Sequence, residues 1–270
     1  MEQAKRFESA LRNLSAAALA SSELPRSLMM SQSGNVEVFY APFDYVNPNA
    51  RLVLVGITPG VQQAMNAIRS CHRELADGAN LATALRKAKG DGSFSGALRG
   101  NLIRLLDSLG VQHWLEIPSC ASLFDTHMDL VHFTSALKYP VLVDGTNYSG
   151  RQPAMTRDSR LLAELERWLP EELAQLERPL IVPLGDSVAG AIDHLANRGS
   201  IDAQQVLRGL PHPSGANAER IAYFIGSKPR AKLSVKVDPD KLDAAREQAL
   251  RAIAKLLQGR FVSRGIEMPQ

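Results

Sequence analysis

The chain has 270 residues, 45% of them hydrophobic and 22% charged, with a net charge of +3. That is the composition of a globular protein with a large core, and it excludes disordered and fibrous classes. Two cysteines, Cys71 and Cys120, are too few for a disulfide framework or a four-thiolate iron–sulfur cluster, the N-terminus is charged, and no run of about 18 apolar residues occurs, so a reducing cytoplasm is the expected compartment and a membrane span is not expected.

Residues 1–50 read as an amphipathic helix, a Ser/Gly-rich break over 31–34 and an extended piece over 36–46. An apolar run over 52–57 predicts a buried strand, and the Thr58-Pro59-Gly60 turn that follows leads into a helix whose apolar face carries Val61, Met65, Ile68 and Leu75. Residues 131–137 predict a second strand, followed by a polar, glycine-containing loop over 143–155. From Arg157 the series Leu161, Leu162, Leu165, Trp168, Leu169 predicts a helix ending at Pro170. Residues 180–184 predict a third strand, after which Asp186-Ser187 is expected to cap a helix bearing Val188, Ile192 and Leu195. A fourth strand is expected over 205–210. Asp238-Pro239 opens a last helix with Leu242, Ala245, Ala249, Ile253 and Leu256, a cap followed by proline at the first helical position.

Strands alternating with helices predict an α/β fold: three α/β/α layers around a central four-stranded parallel sheet. One domain is expected over 1–270, comprising an N-terminal helix and extended segment (1–50) and a C-terminal helix (235–270) packed on it. Ligands of open parallel sheets bind beyond the carboxyl ends of the strands, which places the 143–155 loop against a substrate.

Several residues invite chemistry. His212 stands between two prolines after a strand, a rigidly aimed imidazole. Arg220, Lys228, Arg230, Lys232 and Lys236 follow it with no acid between Arg220 and Lys236, a positive flank suited to nucleic acid. Cys120, Asp125, His127 and His132 form a competing metal set whose spacing fits no common zinc pattern. Ser214 as a nucleophile lacks the Gly-x-Ser-x-Gly elbow. Phe94 reads equally as a core residue, and Ser135 as a bonded polar group on an apolar strand. A small-molecule α/β enzyme using the Thr-Pro-Gly turn for phosphate is a further reading.

Five segments, Gly56-Ile-Thr-Pro-Gly60, Gly92-Ser-Phe-Ser-Gly96, Phe133-Thr-Ser-Ala-Leu-Lys-Tyr-Pro140, Pro179-Leu-Ile-Val-Pro-Leu-Gly185 and Leu210-Pro-His-Pro-Ser214, occur in the order of corresponding segments in the uracil-DNA glycosylase superfamily, which the chain resembles. The resemblance implies a monofunctional N-glycoside hydrolase acting on a base flipped out of DNA, working as a monomer without metal or organic cofactor. It implies that His212 donates a hydrogen bond to the departing base and that the Thr58 turn holds the attacking water. It further implies that Gly56, Ile57, Pro59, Gly60, Ser135, Ser214 and Asn217 contact substrate, that Phe94 stacks on the base, and that Lys228 and Arg230 meet DNA.

Three departures matter. Thr58 stands where related branches have asparagine and cannot take a proton from water at neutral pH, leaving Asp44, Asp125 and Asp144 as candidate replacement acids. Ser135 replaces an asparagine that reads the base edge. Gly215-Ala216 is small where the family places a bulky wedge, which favours single-stranded or weakly paired substrates, or bulky modified bases. Thr58 and Ser135 together also admit a nucleic-acid-binding or damage-sensing protein on the same fold that has lost hydrolysis.

Overall fold

The computed structural model describes residues 1–93 and 97–264. Helix α1 (Glu2–Arg12) and the short α2 (Ala16–Ala20) precede a hairpin of β1 (Met29–Ser33) and β2 (Val36–Phe39). Next come β3 (Leu52–Gly56), α3 (Val61–Ala76), α4 (Leu81–Gly92), α5 (Ala97–Ser108) and α6 (Val111–Leu115). Strand β4 (Val131–Ser135) leads to a second hairpin of β5 (Val141–Val143) and β6 (Thr146–Asn147), then to α7 (Ser159–Leu173), β7 (Leu180–Pro183) and α8 (Asp186–Asn197). Helices α9 (Ala218–Phe224) and α10 (Pro239–Arg264) follow.

The parallel sheet has the order β4-β3-β7, and all five residues of the central β3 are buried. Side chains alternate across a strand, so Val53 and Val55 enter the cluster that holds residues of α1, α3, α4, α7 and α8, while Leu52 and Leu54 enter the one formed with α5, α6, α9 and α10. Ile181 joins the first cluster, Leu180 and Val182 the second. This parity produces three α/β/α layers and explains why the strand reads as an unbroken apolar run. Each such side chain contributes about 1.5–3 kcal/mol by leaving water.

The sheet has three parallel strands among the described residues, not the four expected. Residues 205–210 do run beside β7: the Leu207 N–H donates to the Ile181 carbonyl (2.8 Å) and the Gly185 N–H to the Leu210 carbonyl (3.2 Å). Between these bonds Gly209 adopts φ +97°, which turns the backbone out of ladder geometry and leaves a single bridge, Ile181 to Val206.

A second, antiparallel sheet, β1-β2-β5-β6, contains β2 within the stretch that reads as extended (36–46), while β1, β5 and β6 form where the sequence reading has no strand. Its β5–β6 turn is made by Asp144 and Gly145, both with positive φ (51° and 71°), the geometry that matches hairpin twist. Two helix boundaries also differ from expectation. Helix α7 continues through Pro170 to Leu173, which brings the fully buried Glu172 into the core. Asp186 is the first residue of α8 and not its cap, because Gly185 at φ +90° occupies the cap position.

Glu172 anchors an ion cluster beneath the sheet. Its Oε1 accepts from Lys89 Nζ (3.0 Å) and from His132 Nε2 (2.6 Å), and Lys138 Nζ lies 3.1 Å from Oε2. His132 Nδ1 accepts the Asn47 N–H (3.4 Å), which fixes its proton on Nε2. Burial pushes the His132 pKa down to about 4, with the Lys89 ammonium acting in the same direction. Burial alone would raise the Glu172 carboxyl, but Lys89, Lys138 and the His132 bond hold it well below the ordinary range.

This cluster predicts acid sensitivity. Between its ordinary pKa of 6.5 and about 4, His132 takes up a proton in the unfolded chain but not in the folded one, so stability falls with pH across that window, by at most about 3 kcal/mol. Glu172 contributes stability above the ordinary carboxylate value of 4.5, and this is lost as pH falls through its lower folded pKa. Urea unfolding between pH 7.5 and 4.5 measures the slope, and His132→Gln should flatten it; an unchanged slope would contradict the assignment.

Candidate active site

A cleft of about 1100 Å³ opens at the carboxyl ends of β3, β4 and β7. Residues 56–60 line it, as do Ser135 at the end of β4 and His212, Ser214 and Asn217 on the segment before α9. Asn147, Tyr148, Ser149 and Arg151 of the 143–155 segment complete one side, and Lys241, Leu242 and Ala245 of α10 another. Segments far apart in the chain, from Gly56 to Ala245, therefore meet in one cavity, because parallel strands deliver all their carboxyl ends to the same edge. Phe94 lies outside the described residues.

The helix that follows the first motif starts cleanly. Gly60 caps α3, its N–H donating to Gln63 Oε1 (3.1 Å), and the next amide, Val61, donates to Asn147 Oδ1 (2.9 Å). Thr58 is committed to structure. Its hydroxyl donates to the Tyr139 carbonyl (2.8 Å) and accepts the Val141 N–H (3.1 Å), fastening the end of β3 to the start of β5. One lone pair remains for any other partner.

None of the three candidate replacement acids lines the cleft. Asp44 is buried and accepts the hydroxyls of Tyr40 and Tyr139 (2.9 Å each). Asp144 sits in the β5–β6 turn, bonded by Asn35 Nδ2 (3.1 Å), and Asp125 lies at the end of the 3₁₀ turn Cys120–Phe124. The acids that do line the cleft are Asp186, paired with Lys241 Nζ (2.7 Å), and Asp238, which caps α10 by accepting the Lys241 N–H (3.1 Å).

Lys228 and Arg230 are not among the lining residues. Lys228 Nζ donates to Glu219 (2.7 Å), and Arg230 pairs with Asp240 (2.7 Å) and Asp243 (3.5 Å), so acids from α9 and α10 neutralise a run that is acid-free in sequence between Lys228 and Lys236. The cations lining the cleft include Lys138, Arg151, Arg220, Lys236 and Lys241. The competing metal set is not assembled: His132 belongs to the Glu172 cluster, and Cys120 is buried with its N–H on Asp107 (2.8 Å). Among the described residues no group of three or more His, Cys, Asp or Glu side chains converges as metal ligands would.

His212 is held from several sides. Its Nδ1 accepts the Ser214 N–H (3.3 Å), which puts the neutral ring's proton on Nε2. Asn217 Nδ2 donates to the His212 carbonyl (3.1 Å) and to Ser214 Oγ (3.3 Å), and Asn101 of α5 donates to the Pro213 carbonyl (3.0 Å). Burial lowers the His212 pKa below its ordinary 6.5, so the ring is neutral at pH 7 with an Nε2–H to offer. Gly185 makes room for it: a Cβ there would lie 2.9 Å from His212 Cβ. Asn101 carries no local sequence signal of this role, since it reaches the loop across 112 residues.

Residues 43–234 match the Uracil DNA glycosylase superfamily. The chain belongs to that superfamily, a class of DNA-glycosylase-type hydrolases. It is 33% identical over 221 residues to "Uncharacterized protein YoxB" of Bacillus subtilis (strain 168), an alignment covering 81% of this chain and 86% of that protein. No solved structure matches it. No helix among the described residues is long and apolar enough to cross a membrane.

Two substitutions test this geometry. Gly185→Ala forces a side chain into a glycine-only backbone region and against His212, and should cost about 1–3 kcal/mol in urea unfolding, whereas Gly190→Ala on α8, with open space around it, should not destabilise. Thr58→Val should lose about 1–3 kcal/mol by leaving the Tyr139 carbonyl and Val141 N–H unpaired, while Thr58→Ser retains stability. Equal stability of the valine and serine variants would remove the structural role of this hydroxyl.

Proposed function

We propose that the protein is a monofunctional DNA glycosylase that hydrolyses the N-glycosidic bond of uracil or another modified base presented unpaired or weakly paired in DNA, in repair or in defence against modified foreign DNA. The observation that carries this reading is His212, a neutral imidazole whose Nδ1 is occupied by the Ser214 N–H and whose Nε2–H is left for a ligand in a cleft shared with the 56–60 turn.

When the glycosidic bond breaks, the base leaves with the bonding electrons and the sugar becomes cationic. An Nε2–H donated to a carbonyl oxygen of the base strengthens as that oxygen gathers charge, an interaction worth about 3–4 kcal/mol in comparable oxyanion sites. Neutrality matters here, since a ring that need not lose a proton offers its donor throughout the neutral pH range. Water then adds to the sugar and releases a proton. Thr58 orients at most one further partner, and each lining carboxylate is already engaged, Asp186 by Lys241 and Asp238 by the α10 cap. Catalysis therefore rests on departure of the base more than on deprotonation of water, at a loss of about 10²–10⁴ against an enzyme with a positioned base. Such a site suits bases that leave more readily than uracil. Ser135, half-buried at the end of β4, offers a single hydroxyl to the base edge, so discrimination between uracil and cytosine should be weak.

The committed Thr58 hydroxyl also favours a second reading, a DNA-binding protein that has lost hydrolysis. One experiment separates the two. Alkali-induced strand cleavage is measured on single- and double-stranded oligonucleotides carrying uracil, hypoxanthine, a thymine mismatch, or hydroxymethylated or glucosylated cytosine. A glycosylase cleaves at least one substrate, and His212→Ala reduces that rate by roughly 10²–10³-fold. Silence across the set, with salt-sensitive binding retained, selects the binding protein.

A further inference from the structure

Where departure of the base carries the reaction, any cation fixed in the cleft wall bears on the rate. Lys138 is such a cation. It leaves the end of β4 between two fastened residues: the Leu137 N–H donates to the Ile57 carbonyl (2.9 Å), and the Tyr139 carbonyl accepts the Thr58 hydroxyl (2.8 Å). Its side chain is only 10% exposed and forms part of the wall between the cleft and a second cavity of about 310 Å³.

Charge is sorted across that wall. Lys89 and Lys138 line the cleft, whereas Glu172, Asp44 and Glu171, the carboxylates that act on Lys138, line the second cavity and not the cleft. From the cleft side the ion cluster is therefore positive. The two ammonium groups differ in what they have left to give. Lys89 directs its three protons to the carbonyls of Phe43 (3.1 Å) and Tyr45 (2.7 Å) and to Glu172 Oε1 (3.0 Å). Lys138 Nζ lies 3.1 Å from Glu172 Oε2 and 5.8 Å from the centroid of the Tyr139 ring. That oxygen receives no hydrogen bond from the described residues, so the pair is an ion contact and the Lys138 protons remain available. Burial alone would lower the Lys138 pKa, but Glu172 and Asp44 raise it above its ordinary 10.5, so the group is an ammonium at neutral pH.

We propose that Lys138 is a second donor to the departing base, its ammonium acting from the end of β4 while His212 acts from the segment before α9. The inference rests on the DNA-glycosylase reading and deepens it by adding a catalytic residue. As the glycosidic bond breaks, its electron pair passes to the base nitrogen. The ammonium keeps its protons throughout, and the proton released when water adds to the sugar goes to solvent. The neutral His212 ring offers a dipole, whereas Lys138 offers a full charge, in a cavity also lined by Phe43 and Phe133, where screening is weaker than at an open surface.

Three variants test this on whichever oligonucleotide of the cleavage set the wild-type protein cuts fastest. Lys138→Met removes the charge, Lys138→Gln removes it but keeps a donor for Glu172, and Lys138→Arg keeps it. Glu172 retains Lys89 and His132 in all three, and urea unfolding verifies that each variant folds. Single-turnover cleavage should slow about 10²-fold in the methionine and glutamine variants and less than tenfold in the arginine variant. Affinity for the same strand carrying a tetrahydrofuran abasic analogue, and its salt slope, should be unchanged. A folded methionine or glutamine variant that cleaves within tenfold of wild type would overturn this inference alone and leave Lys138 as a partner of Glu172. A salt slope smaller by about one would also overturn it, placing Lys138 on a phosphate. Absence of cleavage of every oligonucleotide by the wild-type protein would overturn it together with the glycosylase reading.

Discussion

The two hydrogen bonds of the Thr58 hydroxyl join the molecule's two sheets at the edge of the cleft. Strand β3 supplies the residue, and the chain leaving β4 on its way to β5 supplies both partners, so the parallel sheet and the hairpin sheet cannot shift independently there. Further bonds run alongside: the Ala136 and Leu137 N–H groups donate to the carbonyls of Gly56 and Ile57 (2.8 and 2.9 Å), and the Phe39 N–H donates to that of Pro140 (2.9 Å). Asn147 owes its place near the start of α3 to this junction, since β6 hangs from β5. A threonine that serves so thoroughly as a fastener keeps one lone pair for any other partner.

Charge in the molecule is arranged by burial more than by count. Lys89 spends its protons on Glu172 and the carbonyls of Phe43 and Tyr45, and its own carbonyl accepts the Ser93 hydroxyl (2.6 Å). At the cleft, Arg151, Arg220 and Lys236 have no carboxylate partner among the described residues, while Lys228 and Arg230 are neutralised nearby. The same short stretch thus contains positive groups used to brace the structure and positive groups left to meet a ligand. Only the fold separates them.

Local patterns carried much of this information and missed what depends on distant partners. The three parallel strands are legible because a strand buried on both faces must be apolar throughout, and the starts of α3 and α10 because Gly60 and Asp238-Pro239 are chemically suited to helix entry. Residues 205–210 have a strand's composition, yet Gly209 breaks the ladder with a conformation that composition does not reveal. Of the antiparallel sheet only β2 is legible, within the extended piece over 36–46; β1, β5 and β6 are short, although Asp144-Gly145 is a recognisable hairpin turn. In the cleft, the Thr58 turn and His212 stand out in sequence. That the Thr58 hydroxyl is occupied by Tyr139 and Val141, and that Asp44 also faces Tyr139, are consequences of pairing across 81 to 95 residues, invisible to any local window of sequence.

Helix α10 meets the segment before His212 at close range: a Cβ on Gly209 would lie 2.9 Å from the Ala245 carbonyl, and Lys241, Leu242 and Ala245 form part of the cleft wall. The wall is therefore built from residues translated well after both motifs. A ribosome that has released residues 1–238 has already delivered the sheet, the Thr58 turn, His212 and the 147–151 side of the cleft, but not the wall that α10 contributes. Completion of the cleft is thus tied to synthesis of the last helix, and a nascent chain holds an open, unfinished site until that helix docks.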